Sequence, residues 1–122
     1  MLTLALAAGL IAIKAHIAPP TEKESPSPAV ILVADLREAD SPNDTCARII
    51  QVVRDARSKG VSVTELMPNS NSALLKKHTV FVIPTVLILD KEGQERNRFE
   101  GESTATLDAI RARLTRLQDE KR

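Results

Sequence analysis

The sequence predicts an α/β domain: a mixed central sheet flanked by helices, in the order strand-helix-strand-helix-strand-strand-helix. Three observations lead there. Residues 29–36 (AVILVADL) form a nearly continuous apolar run, which suits a strand covered on both faces. Cys46, Ile49, Ile50, Val53 and Ala56 recur at helical spacing and share one helix face. In Val82-Ile83-Pro84-Thr85-Val86-Leu87-Ile88 a proline stands at the mouth of a β-branched run. Proline has no N–H to give a ladder, so it belongs at the first residue of a strand, and such a bend is a natural place for a cis bond.

The remaining elements follow in chain order. Ser41-Pro42-Asn43-Asp44 has the form of a helix start: Ser41 to cap, Pro42 at the first helical position, Asp44 three residues on to complete a capping box. Arg48, Gln51, Arg54, Asp55 and Arg57 occupy the face opposite the apolar stripe, and Gly60 ends the helix. Residues 61–66 (VSVTEL) alternate as a second strand, parallel to the first through a right-handed crossover. Met67-Pro68-Asn69 turns the chain, and residues 70–77 form a short helix. Residues 85–90 make the third strand. Asp90-Lys91-Glu92-Gly93 closes a hairpin onto residues 94–100. Residues 104–118 complete the unit as a helix, with Leu107, Ile110, Leu114 and Leu117 inward and Arg111, Arg113 and Arg116 toward water. Helices on both faces of such a sheet make an α/β unit.

Composition narrows the function classes. At 122 residues there is room for one small domain. Its only aromatics are Phe81 and Phe99, so the core is aliphatic and stacking platforms for single-stranded nucleic acid are missing. A net charge of +1 supplies no field toward phosphate. Nucleic acid is therefore not an expected partner. Cys46 is the sole cysteine, which excludes an internal disulfide and a Cys-rich zinc pattern; His16 and His78 lie far apart, and neither metal nor cofactor is expected.

Before the domain lie two segments of different character. Residues 1–13 (MLTLALAAGLIAI) are uncharged and apolar, and the run extends to residue 18 if Lys14 and His16 snorkel. Thirteen helical residues span about 20 Å, short of the roughly 30 Å hydrocarbon core. A secretory signal lacks its basic n-region and a small-x-small cleavage site here. Residues 1–18 are read as a membrane anchor or degenerate signal, which implies the cell envelope. The alternatives are a helix packed on the domain, with a cytoplasmic location, or a start inside a longer apolar segment. Residues 19–28 (PPTEKESPSP) read as a tether. The folded domain then covers residues 29–118, and residues 119–122 form a charged tail.

Ile83-Pro84-Thr85, the strand after it, and the hairpin glycines Gly93 and Gly101 resemble the thioredoxin-like superfamily, over roughly residues 29–118. The resemblance implies a minimal thioredoxin-like fold with a cis-proline corner at Pro84. Laid on the family without gaps, residues 36–43 (LREADSPN) fall on its W-A-x-W-C-G-P-C segment. Asp40 then replaces the nucleophilic cysteine and Asn43 the resolving one, Pro42 is kept, and Ala34 stands where a buried aspartate is common. A shift of three residues instead overlays Asn43-Asp44-Thr45-Cys46 on the motif and makes Cys46 the resolving position. The gapless version is preferred because it starts the helix at Ser41-Pro42 and leaves Cys46 on the apolar stripe.

Dithiol exchange needs a second thiol to resolve the mixed disulfide, so one cysteine cannot complete the cycle. The resemblance implies instead a binding or assembly module without dithiol activity. Ile83 would pair with an extended peptide or protein partner beside Pro84, and the loop of Asp40, Ser41, Pro42 and Asn43 would form the facing wall. The alternative is an enzyme, a monothiol thiol-disulfide oxidoreductase or redox sensor with Cys46 as its catalytic group, favoured if that thiol lies at a helix N-terminus. Against it stands a plain reading of Cys46 as a small buried hydrophobe. Capping accounts for Asp40 and Asp44 without acid-base chemistry. The sequence leaves the oligomeric state open.

Overall fold

The computed structural model describes residues 28–41 and 43–120. The expectations for the apolar segment 1–18, for nearly all of the linker and for Pro42 lie outside the described residues. From the first strand onward the chain forms β1 (Ala29–Val33), a 3-10 helix (Leu36–Asp40), α1 (Thr45–Ser58), β2 (Ser62–Leu66), α2 (Ala73–Lys77), β3 (Thr85–Leu89), β4 (Glu95–Glu100) and α3 (Thr104–Glu120). The sheet order is β2-β1-β3-β4. β1 runs parallel to β2 and antiparallel to β3, and β3 runs antiparallel to β4. A mixed four-stranded sheet in this order, with helices on both faces, is the minimal thioredoxin-like fold.

Strand periodicity explains the layers. Successive side chains point to opposite faces, so Val30, Leu32, Val86 and Ile88 meet one side and Ile31, Val33, Leu87 and Leu89 the other. The first set packs against Cys46, Ile49, Ile50 and Val53 of α1 and Leu107, Ile110, Leu114 and Leu117 of α3. The second is covered by Leu74 and Leu75 of α2 with Leu66 and Val80. Every residue of β3 is buried. A one-residue slip would exchange the two sets and bury each against the wrong partners, which pins the register.

Several local expectations are corrected. Residues 34–36 do not continue β1: the Asp35 carboxylate accepts the Arg37 N–H at 3.1 Å and opens the 3-10 helix. Helix α1 begins at the Asp44 cap rather than at Ser41, because Asp44 Oδ1 accepts the Cys46 N–H at 3.0 Å. Ser41 instead closes the 3-10 helix, donating its N–H to the Glu38 carbonyl at 3.0 Å. Asp40 ends that helix, exposed, and among the described residues its carboxylate accepts no capping hydrogen bond. Ser72 caps α2, so that helix starts later than residue 70. Arg113 does not face water freely. It is half-buried and donates to Asn97 Oδ1 at 2.8 Å, tying α3 to β4. Among the described residues, no helix is long and apolar enough to cross a membrane.

Candidate functional site

The ladder gathers several loops at one end of the sheet. Val33 pairs with Thr85 and with Leu66, and Thr85 with Glu100. The chain leaving β1 toward Cys46, the turn after β2, the corner before β3 and the loop after β4 therefore share that end. Two bonds fasten it: Ala34 N–H to Leu66 O at 3.2 Å, and Gly101 N–H to Pro84 O at 2.9 Å. Gly101 takes φ +95°, a left-handed turn that brings its amide back onto the corner.

At the corner itself the Ile83–Pro84 peptide bond is cis and Pro84 is buried. Thr85, fully buried, donates its hydroxyl to the Val82 carbonyl at 2.6 Å and folds the corner on itself. The preceding residues point outward. Phe81 is 87% exposed, Val82 39% and Ile83 44%, the three large hydrophobics exposed among the described residues. Ile83 lies beyond the last ladder pair, and among the described residues no hydrogen bond engages its N–H or C=O. Thr79, at φ +47°, turns the chain off α2 into this segment. Beside Phe81 runs a groove of about 490 Å³ lined by Pro68, Ser72, Leu75, Lys76 and Val80.

Cys46 is 3% exposed and sits in the first turn of α1, among Ile49, Ile50 and Val53. A helix N-terminus favours thiolate, yet here the opposing effects win. Burial first, then the Glu38 carboxylate and the charges of Asp44 and Glu102, push the thiol up to about 12. The group is a proton-holding thiol near neutral pH. Among the described residues, no three His, Cys, Asp or Glu side chains are grouped to hold a metal ion.

The residues singled out in the sequence divide into two sets. Ile83 and Pro84 form the exposed corner. Asp40 and Ser41 line a different groove, of about 280 Å³, with Ala47, Arg48, Gln51 and Arg111. Asn43 is exposed beside the Asp44 cap, and no hydrogen bond among the described residues links Asp40, Ser41 or Asn43 to the corner. The helix start bears on the alignment as well. The gapless version rested partly on a cap at Ser41, and the cap is three residues later, in register with the shifted version that gives Cys46 the resolving position. Its other support, Cys46 on the buried stripe, stands. The sequence marks Phe81 only as one of two aromatics and Val82 only as the start of the proline motif, and it does not single out Glu38 or Glu102; the position of Phe81, Val82 and Ile83 outside the ladder is what exposes them.

No protein-family model matches the chain, and no curated protein is significantly similar to it. Among solved structures, the chain is similar to a disulphide isomerase from Xylella fastidiosa Temecula1, at 14% sequence identity and a TM-score of 0.47, over 93% of this chain and 88% of that one.

Proposed function

We propose that the domain binds an extended peptide or protein segment at the Ile83–Pro84 corner, as a binding or assembly module without dithiol-disulfide activity. One observation carries the reading: Phe81, Val82 and Ile83 are exposed in a row, and among the described residues no hydrogen bond engages the Ile83 N–H or C=O. Apolar side chains left in water and free backbone groups at the same residues suit strand addition, in which main-chain bonds give affinity and side-chain contacts give selectivity. Cys46 supports the absence of exchange chemistry, being enclosed, protonated and the only cysteine of the chain.

The enzyme reading, a monothiol oxidoreductase or redox sensor using Cys46, draws on the position of Cys46 in the first turn of α1. Its raised pKa opposes that reading. Titration of the isotope-labelled domain with unstructured peptides, followed by amide NMR, tests the main proposal. Shifts centred on residues 80–84 and weakened by Phe81→Ser support it. Shifts elsewhere, or none with any peptide, overturn it. Attachment to a membrane through residues 1–18 remains a proposal from the apolar sequence; fractionation of the full chain with and without that segment tests it.

A further inference from the structure

The groove of about 490 Å³ that Phe81 lines is basic. Its floor is apolar, formed by the half-buried Pro68, Leu75 and Val80. On its rim stand Lys76, Asn71 and Thr79, all exposed. Ammonium, amide and hydroxyl each offer a donor to an anion. No carboxylate lines it among the described residues. Between Glu65 and Asp90 the chain holds Lys76 and Lys77 but no acidic residue. Neither lysine makes an ion pair among the described residues, whereas the arginines on and beside the sheet do: Arg54 and Arg57 with Glu65, Arg96 with Asp90, Arg98 with Glu95 and Glu100. Glu95 also approaches His78, at 3.9 Å, but Arg98 holds it at 2.8 Å and it lies outside the groove lining. Phe81 belongs both to the groove and to the exposed row that ends at Ile83. Two residues of extended chain span at most about 7 Å, so a segment engaged at Ile83 reaches the groove within a few residues of its own length.

From this complementarity we infer that the partner segment is acidic: an extended peptide that pairs at Ile83, lays an apolar side chain on Phe81 and carries an aspartate or glutamate side chain into the groove, to Lys76. Asn71 and Thr79 are placed on the same rim to donate to that carboxylate. Apolar contact and backbone pairing supply the affinity. The lysine selects the charge, and a basic segment is turned away. The inference rests on the peptide-binding reading above and names the chemistry of its ligand.

The test titrates the full chain into three rhodamine-labelled octapeptides of one β-prone apolar framework, with glutamate, glutamine or lysine at the same two positions, read by fluorescence anisotropy. All are blocked at both ends, so that no terminal carboxylate takes part. Expected is a glutamate peptide binding about threefold tighter than the glutamine peptide, as for a solvent-facing ion pair, with the lysine peptide weakest. The glutamate preference shrinks in about 0.5 M salt. In Lys76→Gln the glutamate-to-glutamine affinity ratio falls to one, whereas Lys76→Arg keeps it. Lys91→Gln, in the turn between β3 and β4, also keeps it. Both lysines are exposed, so these variants leave the core untouched. If all three peptides bind equally, if lysine binds best, or if the preference survives Lys76→Gln, the acidic-partner inference is overturned and the docking site stands. If none binds at any charge, the docking site is overturned and this inference with it.

Discussion

Cys46 offers the sharpest single test, since its surroundings alone set its reactivity. The pKa rises from 9.0 to about 12, first through burial and then through Glu38, Asp44 and Glu102. Thiolate is the reacting species, and three pH units lower its fraction near neutrality roughly a thousandfold. Enclosure of the sulfur slows attack further. Native protein should therefore react with an aromatic disulfide reagent at least about a thousandfold more slowly than free cysteine at the same pH. Denaturant should restore the free rate. The native rate should also keep climbing above pH 9 rather than levelling there. Labelling of native protein at the free-cysteine rate near neutral pH, or a plateau at or below pH 9, would refute the reasoning and favour the oxidoreductase. The same shift predicts a loss of stability in alkali. Between pH 9 and about 12 the folded thiol keeps its proton while the unfolded one loses it, so the unfolded state binds fewer protons and stability falls as pH rises. Cys46→Ala should remove that part of the alkaline loss, read as a flatter urea-midpoint profile.

Other outcomes follow from particular contacts. Asp44→Ala should cost about 1 kcal/mol by chemical denaturation and Ser41→Ala close to nothing, since only Asp44 caps α1; the reverse order would restore a helix start at Ser41. The Glu65 carboxyl is held below its usual range by its hydrogen bonds from Arg54 at 2.8 Å, and Arg57 adds to this. Its contribution is present above the unfolded value of 4.5 and is lost as pH falls through the lower folded value. Glu65→Gln should thus cost about 1 kcal/mol at neutral pH and flatten the acid limb of the stability profile. Gly101→Ala should cost about 1 kcal/mol through backbone conformation alone, because an added Cβ meets no atom within 4 Å while φ is +95°; calorimetry of the variant measures it.

Legibility varied with the range of the interaction involved. The continuous apolar runs at β1 and β3 and the stripes of α1 and α3 were readable, because burial on one or both faces imprints a period on neighbouring residues. The hairpin turn was readable too: Asp90 Oδ1 accepts the Glu92 and Gln94 N–H groups, both at 2.9 Å, and Gly93 takes φ +83°. The start of α1 was misread because two capping residues stand three apart, and each satisfies the local rule. Ser41 is used by the 3-10 helix that Asp35 opens, which leaves Asp44 to cap. Arg113 was misread since its partner, Asn97, lies on another element.

The order of elements, the two-faced sheet and the aliphatic core were set by the chain alone, because alternation and helical spacing decide which side chains must leave water together. Folding in three dimensions decided the site. The β3 ladder ends at Thr85, whose hydroxyl folds back to Val82, so Phe81, Val82 and Ile83 face solvent although their residue types suit a core. Burial of Cys46 between α1 and the sheet, together with Glu38, Asp44 and Glu102 from three separate segments, raises the thiol pKa, and little of that is local in the sequence.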